Sequence, residues 1–185
     1  SKNVLKLKAD AVIGYSSGES NSLFASGTWT DMDAMIQETS DSEVFGNAIG
    51  GRFDVVRKAW NLDDEIPNDE IWETWTVLAP VDEVSREVEQ REHLFISIVH
   101  TDNDCIIVGR PHECQEIVKR FGAHRCLRLH YDLAVHVPLV EAVKQPWLEL
   151  HRRAVTKQDD LRVYSSGPSS CYEVSSDACA QAILG

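Results

Sequence analysis

The segment "DAVIGYSSGES", residues 10–20, places Ser16 in a Gly-x-Ser-x-Gly turn behind a short apolar run. A serine hydroxyl is a poor nucleophile unless a base takes its proton and a strand-turn-helix crossing exposes it. Gly14 and Gly18 are the positions at which a Cβ is expected to crowd that crossing. A helix starting at Ser17 aims backbone N–H groups at a developing oxyanion, and the Ser17 N–H is the first donor. The same letters also fit a plain Ser/Gly loop after a strand. An elbow of this kind therefore needs a base from elsewhere in the chain.

The sequence holds 7 histidines. His93, His112, His124 and His151 sit among polar neighbours and are expected at the surface. His100 and His130 fall at strand ends. His136, in "DLAVHVPLVEAV", has apolar flanks and follows a strand, so it is the candidate base; a satisfied core histidine is the competing assignment. Asp132, four residues upstream, would be a third catalytic member or a structural carboxylate, and its place in a strand favours the second.

These residues need a scaffold, and 185 residues suffice for one domain or for a large and a small subdomain. With 43% hydrophobic and 26% charged residues the composition is that of a globular protein able to bury a core without staples. A net charge of −12 argues against nucleic acid as a partner. Charge is uneven, with 8 Lys/Arg against 19 Asp/Glu in residues 1–100 and 10 against 11 in residues 101–185. Arg110, Lys119, Arg120, Arg125 and Arg128 form a local basic stripe, suited to an acidic partner or, more plainly, a solvated helix face. The 5 cysteines lack CxxC spacing, so neither a disulfide framework nor a metal site is expected. Cys105, Cys114 and Cys126 read as buried thiols of a reducing compartment. No apolar run reaches membrane length and no signal peptide is visible, so a cytoplasmic location is the default. The chain starts almost on the elbow strand and stops at "CAQAILG", as expected of part of a larger polypeptide.

The pattern places a buried strand at Ala11-Val-Ile-Gly14 and a helix over 17–26 ending before Gly27. Thr30 is the expected N-cap of the helix "DMDAMIQE", and another helix covers about 53–60. The acidic loop "NLDDEIPNDE" reads as a boundary. Beyond it come a strand "ETWTVLAP", a helix "VDEVSREVEQ", a hairpin "LFISIVH"–"DCIIVG", a helix "PHECQEIVKRFG" and a strand "HRCLRLHY". That β-α-β-β-α-β order matches a ferredoxin-like unit. A helix interrupted at Pro146 and a strand "LRVYSS" follow.

Two motifs together resemble a family. "GYSSGES" and "AVHVP", either side of that unit, resemble the malonyl-CoA:acyl carrier protein transacylases and the acyltransferase domains of polyketide and fatty-acid synthases. Their elbow reads Gly-His-Ser-x-Gly-Glu and their second motif Phe-His-Ser-Pro. "DCIIVGRPHECQEIVKRFG" is similar to the family's Val-Ile-Ser-Gly strand and helix, and "RVYSS" to its Tyr-Ser-Asn segment. The run "GYSSGESNSLFASGTWTDMDAM" looks most like the iterative synthases of polyunsaturated fatty acid, enediyne and heterocyst glycolipid type. The resemblance spans nearly the whole chain.

The resemblance implies an α/β fold. An α/β-hydrolase-like acyltransferase subdomain (1–70 and 137–185, partial) would carry an inserted ferredoxin-like βαββαβ subdomain (71–136). It implies Ser16 as acylated nucleophile and His136 as base, with Gly14, Ser17 and Gly18 forming the elbow and oxyanion donor. The substrate would be a coenzyme A thioester, malonyl-CoA or another acyl-CoA, with no resident cofactor and no metal. The partners would be an acyl carrier protein, docking on the basic stripe, and neighbouring domains of a multidomain synthase; neither nucleic acid nor membrane is implied. Five departures stand out. Tyr15 replaces the family's histidine and changes a pocket wall. Asp41 lies near the place of the arginine that pairs with a malonyl carboxylate, so either Arg52 serves or the acyl group is not malonyl. His100-Thr101-Asp102 replaces Asn-Ser-Pro, and Val137 replaces a serine. The family's oxyanion glutamine belongs to a strand that this sequence does not include. A serine hydrolase or thioesterase of similar fold, and an inactive fragment serving as a docking module, are the alternatives.

Overall fold

The computed structural model describes residues 9–158, 160–167 and 169–184 and is a mixed α/β structure. In chain order its first elements are β1 (Ala11–Ile13), α1 (Gly18–Ser26), α2 (Met32–Asp41) and α3 (Asp54–Trp60). Next come β2 (Glu73–Val77), α4 (Val81–Val88), β3 (Leu94–Thr101), β4 (Asp104–Gly109), α5 (Pro111–Phe121) and β5 (Cys126–Leu129). The chain ends with α6 (Lys144–His151), β6 (Arg162–Ser165), β7 (Ser170–Tyr172) and α7 (Ser176–Leu184). It divides into two compact units, one of residues 9–41 with 144–184 and one of residues 42–143.

In the first unit β1 pairs in parallel with β6, Val12 opposite Val163, and β6 pairs antiparallel with β7. Leu23, Trp29, Val163 and Cys179 form the buried core, with Phe24 edge-on to Trp29 at 5.5 Å between ring centres. Helix α1 stops at Gly27, whose left-handed backbone (φ 82°) lets its N–H close on the Phe24 carbonyl. The cap of α2 is Asp31 rather than the expected Thr30: the Ala34 N–H donates to Asp31 Oδ1 at 3.0 Å. A carboxylate also suits the positive end of the helix better than a hydroxyl. Pro146 does not interrupt α6, because it lies in the first turn, where a missing N–H costs no helical bond. His151 was expected at the surface, yet it is buried and stacks on Trp147 at 5.2 Å. Its Nδ1 donates to the Trp147 carbonyl at 2.8 Å, and burial lowers the imidazole pKa, so the neutral ring carries its proton on Nδ1.

In the second unit the four strands form an antiparallel sheet in the order β3-β4-β2-β5. Side chains alternate across a strand. Val77, Leu94, Cys105 and Ile107 accordingly face Val84 and Val88 of α4 and Cys114 and Ile117 of α5. Pro111 opens α5 where its ring fits the first turn, and Gly122 (φ 92°) ends it as expected. Beside this sheet Trp72 stacks between Phe53, Trp60 and Phe95, with ring centres 5.7 to 6.4 Å away.

The acidic loop 61–70 belongs to this unit, and Arg57 on α3 is the reason. The buried guanidinium donates to the Arg52 carbonyl at 2.7 Å, the Asp63 carbonyl at 2.6 Å, the Ile66 carbonyl at 2.7 Å and Asn68 Oδ1 at 2.9 Å. One side chain thereby holds both ends of the loop. Replacing Arg57 by Met keeps most of the buried hydrocarbon and orphans all four acceptors. The expected cost is about 3 kcal/mol, read as a lower urea midpoint for the unfolding of this unit. A midpoint unchanged from the parent chain would show that water replaces the guanidinium without loss.

Candidate active site

The elbow is built from the turn upward. The Gly18 N–H donates to the Tyr15 carbonyl at 2.8 Å and the Glu19 N–H to the Ser16 carbonyl at 2.9 Å, so the chain reverses directly from β1 into α1. Ser16 sits at that reversal with φ 50°, a left-handed backbone that a residue with a Cβ adopts at a cost of about 1–3 kcal/mol. Gly14 is sterically required: a Cβ there would stand 2.3 Å from Glu19 Cα and 2.4 Å from its nitrogen. Gly18 is not, since a Cβ there meets nothing within 4 Å, and the expectation of crowding at this second glycine is corrected. The crossing pinches at one point only, where the strand end passes under the first turn of α1. Ser17 is exposed, and among the described residues its N–H has no acceptor, which leaves it free for an incoming oxygen. Tyr15 is 49% exposed beside it.

His136 lies in the second unit, in the loop after β5. The loop is pinned on both sides of it. The Ala134 N–H donates to the Ile49 carbonyl at 2.7 Å, the Ser97 hydroxyl donates to the Val135 carbonyl at 3.1 Å, and Val137 is buried. Between these anchors His136 takes a left-handed backbone, φ 55°. It is an exposed residue, which removes the core-histidine alternative. The protein around the ring still lowers its pKa by desolvation, so the imidazole is neutral near pH 7 and has a lone pair to accept a proton.

Asp132 is structural: it takes Arg128 in a two-pronged pair at 2.9 and 2.7 Å. Arg128, also 3.7 Å from Glu73, is therefore turned inward and does not stand in an open basic stripe. Arg110 lies over the Trp60 ring at 5.5 Å, and Arg120 pairs with Glu87 at 3.3 Å while remaining largely exposed. Lys119 and Arg125 are exposed. Arg52 is 59% exposed and already answers two carboxylates, Asp54 at 3.3 Å and Asp64 at 3.8 Å. His100 is exposed on β3. His93, expected at the surface, instead packs its ring against Trp60 at 4.6 Å and lies 3.4 Å from the buried Glu113 carboxylate.

Two buried thiols are poor competitors for the nucleophile's role, because burial pushes Cys105 up to about 11 and Cys114 higher still. Among the described residues no cluster of histidine, cysteine and carboxylate side chains could hold a metal ion, and no helix is long and apolar enough to cross a membrane. No role was assigned from the pattern to Glu19, whose buried carboxylate meets Ser165 and Ser166; the signal was the glutamate that closes the resembled elbow, three residues after Ser16.

The fold is shared with solved proteins. Malonyl-CoA:acyl carrier protein transacylase from Helicobacter pylori superposes with a TM-score of 0.67 at 17% identity, over 96% of this chain and 53% of that one. The acyltransferase domain from module 8 of the salinomycin polyketide synthase gives 0.67 at 16% identity, over 98% of this chain and 40% of that one. The chain has the acyltransferase fold. In sequence, a polyunsaturated fatty acid synthase polypeptide of Thraustochytrium sp. (strain ATCC 26185 / S-3) is 23% identical over 169 residues, which is 89% of this chain and 8% of that protein. No protein-family model matches. The acyltransferase fold is thus represented here by a stretch about half as long as the transacylase chain.

Proposed function

We propose that this chain is an acyltransferase domain acting in polyketide or fatty-acid biosynthesis in the cytoplasm. It moves a malonyl or related acyl group from coenzyme A to the phosphopantetheine thiol of an acyl carrier protein. Ser16 Oγ attacks the thioester carbonyl, His136 takes the hydroxyl proton, and the Ser17 N–H receives the charge that develops on oxygen. Expulsion of the coenzyme A thiol, with return of the proton from His136, leaves an ester on Ser16. The carrier thiol then gives its proton to His136 and attacks that ester, and Ser16 regains its hydrogen. The observation that carries this reading is the elbow itself: a left-handed Ser16 over a close-packed Gly14, next to an N–H without an acceptor among the described residues.

Other features support the same reading. The order and antiparallel pairing of β2 to β5, with α4 and α5 on one face, support a ferredoxin-like small subdomain over 71–136, carried within the larger unit of residues 42–143. Lys119, Arg120 and Arg125 offer exposed positive charge to an acidic carrier protein. The acyl group is a separate matter. Arg52 is engaged by two carboxylates, and Asp41 stands exposed at the end of α2, held by Gln37 at 2.8 Å. A malonyl head group would have to displace one of the Arg52 partners, so neutral acyl groups belong in the test. The chain is incubated with acetyl-, malonyl- and longer acyl-CoA, and its intact mass is measured. An increase equal to one acyl group, mapped to the peptide containing Ser16, is the expected result. No adduct with any of them would overturn the reading.

A further inference from the structure

Glu19 is 4% exposed, and among the described residues its carboxyl group is met by neutral donors. Three converge on one oxygen. Oε1 accepts from the Ser165 hydroxyl at 3.0 Å, the Ser166 N–H at 2.8 Å and the Ser166 hydroxyl at 3.0 Å. These donors lie at the end of β6, the parallel neighbour of β1. The backbone of the same residue is fixed from the other side, because Glu19 N–H holds the Ser16 carbonyl and Glu19 Cα presses on Gly14. One residue therefore joins the end of β1, the first turn of α1 and the end of β6. A left-handed Ser16 is a conformation that the surroundings must impose, and this junction is where they do so.

We propose that Glu19 is a positioning residue: by locking the first turn of α1 to the end of β6 it holds the Ser16 hydroxyl in place for attack. The catalytic consequence rests on the acyltransferase reading; the lock itself does not. Gln at this position keeps an acceptor oxygen at the Oε1 site and loses only the extra strength that a charged acceptor gives. Ala removes the acceptor altogether. Ser165 then has an alternative in the Ala182 carbonyl at 3.3 Å, whereas the Ser166 N–H has lost its acceptor.

The test compares the whole chain with Glu19→Gln and Glu19→Ala by amide hydrogen exchange and by acylation kinetics. In Glu19→Ala the Gly18 and Glu19 amides, which close the elbow, should exchange at least about tenfold faster, while Glu19→Gln stays within about threefold of the parent. The acylation kcat should fall about 30-fold in Glu19→Ala with KM for the acyl-CoA unchanged, and Gln should restore most of it. A loss of general stability would not give that split, nor that rescue. Elbow exchange unchanged in Glu19→Ala would overturn the proposal. Should that variant not fold, Ser166→Ala serves instead: it drops one donor, and about threefold faster elbow exchange is expected, with no change counting against the lock. If the parent chain forms no acyl-enzyme, the function proposed above fails, and the exchange comparison alone decides the lock.

Discussion

Ser16→Ala should form no acyl-enzyme with any acyl-CoA that labels the parent chain. The substitution removes one oxygen and leaves Gly14, the turn hydrogen bonds and the free Ser17 N–H as they are. Alanine pays much the same backbone cost as serine at φ 50°, so unfolding should shift by no more than about 0.5 kcal/mol. Acylation should fall by at least about a thousandfold, because no other hydroxyl occupies that point of the turn. Intact mass after incubation with the labelling acyl-CoA is the measurement. A full acyl adduct on the variant would sink the assignment and direct attention to Ser17 and Cys171, both exposed.

His136→Ala should slow acylation by roughly a hundred- to ten-thousandfold, the range for loss of a general base. The accompanying pH profile is the sharper check. Desolvation lowers the folded-state pKa of His136 below its ordinary 6.5, so the neutral, proton-accepting form already dominates near pH 7. The parent acylation rate should therefore rise with pH through a value below 6.5 and be level by about pH 7. In the variant that rise should be absent. Stability follows the same sign. The unfolded chain binds a proton at 6.5 that the folded chain resists, so the contribution of neutral His136 is present above 6.5 and lost as pH falls from there towards the folded value. Buried His151, lowered by the same cause, adds to that loss. A rate profile that His136→Ala leaves unmoved would assign the base elsewhere.

The segment from β2 to β5 was legible in the sequence because each of its elements carries its own punctuation. Its strands alternate, its hairpin has a short polar turn, and its second helix begins at Pro111 and ends at Gly122. Strand β7 and helix α7 were not. Strand β7 is three residues long with Ser170 and Cys171 exposed, and α7 buries only small residues, Cys179, Ala180 and Ala182, whose weak hydrophobicity gives little periodic signal. The elbow was legible as a pattern, but its mechanics were not. Only the packing of Glu19 against the strand end distinguishes Gly14, which the crossing needs, from Gly18, which it tolerates. His151 and His93 were misplaced because their neighbours in sequence are polar while their neighbours in space are tryptophans. Long-range polar ties such as Glu19 to Ser166, 147 residues apart, leave no local trace.

The Arg57 clamp has a bearing on how such pH experiments behave. Among the described residues every acceptor around its guanidinium is an amide or peptide oxygen. A guanidinium stays charged across the accessible range, and neutral oxygens have no proton to gain. Helix α3, which carries the clamp, packs against the Pro138–Val143 turn that follows His136. The helix against which the segment after His136 rests is thus tied to its own loop by a joint indifferent to acidity. As the imidazole titrates, that part of its mounting stays put.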